Sequence, residues 1–385
     1  MQLERLSLAD FRNFASATPP ITLEFGERFT ILHGHNGAGK TNILEAIYLV
    51  STLRSFRTTE LGALLRRGCE HARVEIQAFD TSVDLTGKLE VRLDRSARAI
   101  RRTARIDGKL VRSAAEFYGR IQAILFTPED LAVLRGSPSA RRQFVDRVVF
   151  ARERGHIGDV QTYEKLLRSR NRVLKTDFAP IEVERMLDAY DHQLAEVGAR
   201  IWTRRTTLIA ELHQPFAQAF AQIHDREQDP ALLSAELRYA SRLDPSASVP
   251  VAERRAALVE ALLGQRKRDL LAGRTTVGPH LDDLQVTLDG TRAGEFASQG
   301  QTRALVLAFK IAELRAARER SGRAPLLLLD DVSSELDPLR TARLFEVLAA
   351  EVGQCVLTTT TPGYLELGAA SRRELEVRDG QLTPT

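Results

Sequence analysis

The sequence predicts an α/β fold in which both ends of the chain build one domain and a mostly α-helical block is inserted between them. Three observations predict it. A glycine-rich octet, Gly34 to Thr41, sits between a strand-like and a helix-like segment near the N-terminus. Four leucines followed by two aspartates, Leu326 to Asp331, read as a strand buried on both faces near the other end. Between Ser139 and about Leu270, apolar residues recur three and four apart and glycine and proline are sparse.

The elements follow in order. Short alternating segments at Gln2 to Leu8, Ile21 to Phe25, Arg73 to Phe79 and Leu85 to Leu93 predict strands, and Asp107-Gly108 predicts a hairpin turn. One helix interrupts them, from about Gly39 to Leu53. In the central block Leu187, Tyr190, Leu194, Val197 and Ile201 make an apolar stripe. Packing within one globular lobe accounts for the stripe. A short antiparallel coiled-coil arm is the alternative, and the stripe is too short for a long one. Leu243 to Val251 reads as a loop. After Gly273 the alternation returns: a strand at Leu284 to Leu288 ending in Asp289-Gly290, a helix at Gln301 to Arg320, a strand at Leu326 to Asp330, a helix at Pro338 to Glu351 and a strand at Cys355 to Thr359. Such alternation implies a largely parallel sheet. The expected division is residues 1–126 with 273–385 for the α/β part, and 127–272 for the insertion.

Composition narrows the class. With 385 residues, 43% of them hydrophobic, the chain buries a substantial core in one or two domains. No apolar run reaches bilayer length, and the N-terminus lacks a signal-peptide pattern, so a cytoplasmic protein is expected. Cys69 and Cys355 are the only cysteines and suggest neither a disulfide framework nor a zinc site. The net charge of +4 is modest, but its distribution is not even. From Lys88 to Arg112 lie Lys88, Arg92, Arg95, Arg98, Arg101, Arg102, Arg105, Lys109 and Arg112, against Glu90, Asp94 and Asp107. A phosphate-binding surface and a solvated strand face both fit that cluster.

The octet Gly34-His35-Asn36-Gly37-Ala38-Gly39-Lys40-Thr41 fits G-x-x-x-x-G-K-[ST], the ATP-binding P-loop. Its glycines let successive N–H groups turn inward around phosphates, and the helix N-terminus adds partial positive charge. Lys40 is placed to reach the β- and γ-phosphates, and the Thr41 hydroxyl to ligate Mg²⁺. The metal needs a carboxylate at the end of a buried strand, where α/β sheets place ligands. Asp330 supplies it. Asp331, one residue on, is the candidate to orient the attacking water. Ser298-Gln299-Gly300-Gln301 stands immediately before a helix, ahead of the acidic strand, and Ser334-Glu335-Leu336-Asp337 follows it. Alone, Ser298 to Gln301 could be a helix cap. In this order it resembles the signature loop of ABC-type ATPases, which contacts the γ-phosphate of a nucleotide held by the opposite subunit. The fold expected is therefore an ABC-type P-loop ATPase head with an inserted mostly α-helical lobe. One chain cannot place both anion sites on one phosphate, so an ATP-dependent homodimer follows.

Further segments resemble the RecF family across essentially the whole chain. They are Pro128-Glu129-Asp130, Leu134-Arg135-Gly136-Ser137-Pro138, Arg141-Arg142 and Phe144-Val145-Asp146, then Leu328-Leu329-Asp330 with Ser334-Glu335-Leu336-Asp337, Arg340 and Leu344. Phe11-Arg12-Asn13-Phe14, Ser55-Phe56-Arg57, Leu166 to Asn171 and Thr276-Val277-Gly278-Pro279-His280 add to them. The resemblance implies an SMC-like head without the long coiled coil. It implies ATP-dependent DNA binding with RecR and RecO at single-strand gaps, RecA loading, replication restart, SOS induction and slow ATP hydrolysis. It places Arg12 on the nucleotide. Leu281 departs from the family, which usually continues with Arg there. Thr358 to Thr361 stand where transporter-type ATPases have a histidine.

The expected DNA contacts are to phosphates, with little sequence preference, because no major-groove reading motif is present. Candidates are Arg57, with a structural salt bridge as the alternative, Arg101, Arg102 and Arg105, with a solvated strand face as the alternative, and Arg141 and Arg142, for which an internal ion pair at a helix start is the favoured reading. Three rival readings stand beside this one. A transporter nucleotide-binding subunit is opposed by the large helical insertion. Another SMC-like head, associated with a nuclease, is closer. A scaffold that binds ATP and scarcely turns it over is the third, since Asp331 stands where a Glu is usual.

Overall fold

The computed structural model describes the chain except residues 17–19, 81–82, 98, 113, 119, 177–178, 225–232, 244–245, 332–345, 347, 349–350 and 361–370. Ser334-Glu335-Leu336-Asp337, Arg340, Leu344, Thr361 and nearly all of the helix expected over Pro338 to Glu351 lie outside the described residues. In chain order the first elements are β1 (Gln2–Ala9), β2 (Ile21–Glu24), β3 (Phe29–His33), α1 (Lys40–Thr52), β4 (His71–Asp80), β5 (Leu85–Arg95), β6 (Ile100–Ile106) and β7 (Lys109–Leu110). Next come α2 (Ala114–Phe117), β8 (Ala123–Phe126), α3 (Pro128–Leu131), α4 (Pro138–Arg152), α5 (His156–Val173) and α6 (Pro180–Ile223). The rest are β9 (Ala235–Ala240), α7 (Val251–Ala272), β10 (Asp283–Leu288), β11 (Thr291–Arg292), α8 (Ala293–Phe296), α9 (Gln299–Ser321), β12 (Leu326–Leu329), β13 (Gln354–Thr359), β14 (Arg372–Arg378) and β15 (Gln381–Pro384). Among the described residues no helix is long and apolar enough to cross a membrane. The chain forms two units, Met1–Asp130 with Glu313–Thr385, and Leu131–Ala312.

Among the described residues, the first unit has two sheets with α1 packed between them. Period-two burial builds the antiparallel sheet β2-β1-β4-β5-β6-β7: Ala72, Val74, Ile76 and Ala78 point inward from β4, and Leu89, Val91 and Leu93 from β5. The second sheet runs β15-β14-β3-β13-β12-β8, parallel except for β15. Its central strands are apolar on both faces, and β12 and β8 are buried at every position. Helix α1 touches β4 and β5 on one side and β13 and β8 on the other, which explains why it is apolar almost all round. Buried Gln354 ties the two sheets: its side chain accepts from Leu3 N–H at 2.8 Å and donates to the Leu3 and Gly26 carbonyls.

In the second unit α5, α6 and α7 meet on a buried ion cluster. Arg170 donates to Asp191 at 2.6 Å and to Asp269 at 2.7 Å, with all three side chains buried. Leu187, Leu194, Val197 and Ile201 are buried, so the stripe on α6 is lobe packing. Residues 273–312 also lie in this unit. The alternation after Gly273 leads one to expect β10 in the parallel sheet; it pairs antiparallel with β9 instead, Leu284 opposite Tyr239 and Val286 opposite Leu237. The short β9, with Ala235, Leu237 and Tyr239 buried, is not among the strands expected from the sequence.

Candidate nucleotide-binding site

The glycine-rich loop runs from the end of β3 into α1, as expected. Gly34, Gly37 and Gly39 have φ of 144°, 82° and 110°, conformations that L side chains avoid. Two of these glycines are also packed against neighbours. A Cβ on Gly34 would sit 2.3 Å from the Val377 carbonyl, and one on Gly39 would sit 2.5 Å from the Asn13 amide. The Lys40 ammonium curls back into the loop and donates to the Gly34 and His35 carbonyls at 2.7 and 3.0 Å. His35, Asn36 and Ala38 form the rest of the turn, and the Ala38 carbonyl accepts from Asn13 at 2.9 Å.

Asp330 lies immediately past the buried β12. One of its oxygens accepts from Thr41 Oγ1 and from Thr358 Oγ1, each at 2.8 Å. The octet hydroxyl and the strand-end carboxylate, 289 positions apart in sequence, therefore meet. Burial pushes the Asp330 carboxyl above its usual range, and the charges of Asp331 and Glu129 add to this against the two hydroxyl bonds. The Lys40 ammonium is pulled down by burial, while Asp331 and Asp330 oppose the shift. Asp331 has φ 45° and donates its N–H to Thr358 Oγ1 at 2.9 Å. Thr358 thus spans both aspartates. The sequence drew attention to this threonine run only as a replacement for histidine. A hydroxyl and a single carboxylate suit Mg²⁺, which keeps waters and takes phosphate oxygens for its remaining positions. Among the described residues no cluster of three or more His, Cys, Asp or Glu side chains could hold a metal without a ligand's help.

Arg12 and Arg57 converge beside the loop on one buried carboxylate. Arg12 donates two hydrogen bonds to Glu45, both 2.7 Å, and Arg57 lies 3.8 Å from the same group. Arg57 also donates to Asn42, which donates to Asn13, so a polar chain runs from Arg57 to the phosphate loop. Sequence reasoning missed Glu45, Asn13 and Asn42 as parts of this site. The phasing of α1 was the available signal for Glu45, an acid in an otherwise apolar helix turn. Arg12, Asn13, Asn42, Arg57, Arg66 and Arg95 line a cleft of about 630 Å³, with no acidic residue in its wall among the described residues.

In the second unit, Ser298 to Gln301 make a reciprocal cap. Ser298 Oγ accepts from Gln301 N–H at 3.1 Å, and Gln301 Oε1 accepts from Ser298 N–H at 2.9 Å. Gln299 and Gly300 head α9, where N–H groups have no intrahelical acceptor.

The remaining candidates are spread over several places. Arg101 is exposed on β6 opposite Asp94. Arg102 points to the other face and donates to the Leu53 carbonyl that ends α1. Arg105 lies 3.7 Å from Glu90, which Arg73 and Arg92 also contact. Arg141 makes a bidentate pair with Asp283 at 2.7 and 2.6 Å, and Arg142 donates to the Asp282 carbonyl at 2.8 Å. Leu281 is 44% exposed.

Residues 2–380 match the family model described as RecF/RecN/SMC N terminal domain. The DNA replication and repair protein RecF of Myxococcus xanthus is 42% identical over 385 residues, covering 99% of this chain and 97% of the relative. The RecF of Geobacter metallireducens is 34% identical, with all of both chains covered. Among solved structures, the recombination mediator protein RecF-ATPrS in the RecFOR pathway superposes with a TM-score of 0.83 at 27% identity, covering 99% of this chain and 97% of the other. An Smc head bound to the C-winged helix domain of ScpA shares the fold, with a TM-score of 0.56 at 16% identity over all of this chain and 97% of the other.

Proposed function

Because this chain belongs to the RecF family, we propose that it is an ATP-dependent DNA-binding protein of recombinational gap repair, working with RecO and RecR. Its expected outputs are RecA loading, replication restart and SOS induction. The observation that carries the nucleotide half of the reading is the Thr41–Asp330 contact beside a loop of left-handed glycines. The relatives named RecF and the RecF-ATPrS structure support the pathway half.

Each residue then has a task. The N–H groups of Gly37 to Thr41 bind the phosphates, and Lys40 exchanges loop carbonyls for phosphate oxygens. Thr41 and Asp330 hold Mg²⁺, which when bound neutralises charge on the β- and γ-phosphate oxygens. Asp331, anchored by its own N–H to Thr358, orients the attacking water and takes its proton. A carboxylate one methylene shorter than Glu reaches less far, in keeping with slow hydrolysis. Arg12 and Arg57, fixed by Glu45, keep positive charge at the cleft. Ser298 to Gln301 of a second copy complete the γ-phosphate site, so that ATP closes a homodimer and DNA phosphates lie along it. The supporting observation for DNA is the arginine-lined wall beside α1.

Fluorescence anisotropy of labelled gapped duplex tests this. ATP with Mg²⁺ should tighten binding by tenfold or more, and Lys40→Ala should erase the ATP effect alone. Equal binding with and without ATP would refute the reading. Stable association with a nuclease subunit would favour the other SMC-like head instead.

A further inference from the structure

Two segments of the second unit, 162 positions apart, meet beside Ser298. Arg135 ends the short turn Val133–Arg135, and its Nη2 donates to the Ala297 carbonyl at 2.8 Å. That carbonyl and the Ser298 N–H belong to one planar peptide unit. The N–H end is held by Gln301 at 2.9 Å, so the plane is gripped from both sides. The surroundings are stiff. Arg141 donates to the Gly136 carbonyl at 2.7 Å while paired with Asp283, and Ser137 caps α4 through Ala140 N–H at 3.2 Å. Close packing adds a second hold: a Cβ on Gly294 would lie 2.4 Å from the Leu134 carbonyl. Ala297 is buried between Phe296, 73% exposed, and exposed Ser298, so the loop has one anchored residue between two solvated ones.

We infer that Arg135 is a positioning residue for the Ser298–Gln301 loop, fixing the peptide plane that aims the first amides of α9 at the nucleotide of a second copy. The inference rests on the two-copy ATP site proposed above. Arg135 touches no phosphate itself, and its effect passes through Ala297 and Ser298.

Complementation of hydrolysis tests it. Arg135→Ala should bind a fluorescent ATP analogue within about twofold of the unaltered chain, yet hydrolyse ATP about threefold to tenfold more slowly, the share of one partly exposed charge-assisted hydrogen bond. Arg135→Lys, which keeps a donor, should recover most of the rate. Gly294→Ala should lose more, because its Cβ must push the Leu134 carbonyl away. Mixed with Lys40→Ala, both slow variants should regain activity, since the mixed pair contains one sound phosphate loop facing one sound signature loop. A misfolded subunit would not be rescued. Unchanged hydrolysis in Arg135→Ala overturns the inference. So does a mixture in which Lys40→Ala rescues Ser298→Arg but not Arg135→Ala. If Ser298→Arg itself is not rescued, the two-copy site fails, and the positioning role falls with it.

Discussion

Asp330 shows how a single residue sets stability against function. Burial and two neighbouring carboxylates hold its pKa above the ordinary range, so the fold opposes its ionisation and stability falls as pH rises through that value. Asp330→Asn keeps an acceptor for Thr41 and Thr358 without the buried charge. Without nucleotide, the melting temperature of this variant should equal or exceed that of the original chain, and its Mg²⁺-dependent hydrolysis should fall on the order of a hundredfold. A lower melting temperature, by calorimetry, would show that the charge stabilises the fold. The meeting of Thr41 with Asp330 was legible in the sequence because phosphate and metal chemistry dictates such residue types and local spacing. Glu45, Asn13 and Thr358 were not, because each reaches the site through tertiary packing from an element with its own separate pattern. Arg102, in a basic cluster that reads equally as a solvated face or a phosphate surface, donates to the Leu53 carbonyl instead, while Arg141 makes with Asp283 the internal pair that its place at a helix start favours.

At the scale of elements, the phosphate loop and the segment from Thr275 to Asp283 behave as preset pieces. Gly39→Ala combines a φ of 110° with a clash against Asn13, so ATP affinity should drop at least tenfold in a titration calorimeter. The segment near His280 titrates. Tyr163 and His280 Nδ1 share a 2.9 Å hydrogen bond, and burial pulls the imidazole down to about 4. Stability tied to the neutral ring is therefore lost as pH falls from about 6.5 toward 4. Burial pushes Asp146 up, but Arg205 and His156 outweigh it and bring the carboxyl down to about 2 from 3.8, worth about 2 kcal/mol that is present above pH 4 and lost below it. Melting curves should fall in these two steps, and His280→Gln should flatten only the first. On β6, Arg101→Ala should reduce the salt slope of DNA binding by about 0.9 if that residue meets a phosphate. Arg102→Ala should instead lower stability by about 1 kcal/mol and leave the slope alone. Strands β1, β4 and β5 were legible from period-two alternation. The pairing of β10 was not, because its partner β9 is short and follows a helix of 44 residues.

For the whole molecule, the proposed reading pairs the phosphate loop of one copy with Ser298–Gln301 of a second copy of the chain. The order of motifs in the sequence carried this idea further than any local pattern could, since the order is what distinguishes a signature loop from an ordinary helix cap. The structure gives Ser298–Gln301 a reciprocal cap and a peptide held on its other side by Arg135. The central claim is that catalysis needs two copies. ATP turnover per subunit, measured against protein concentration with and without gapped duplex DNA, tests it most directly. The account predicts a rate that climbs with concentration, saturates, and reaches its plateau at lower concentration when DNA is present. A rate per subunit flat across concentration and indifferent to DNA would contradict it.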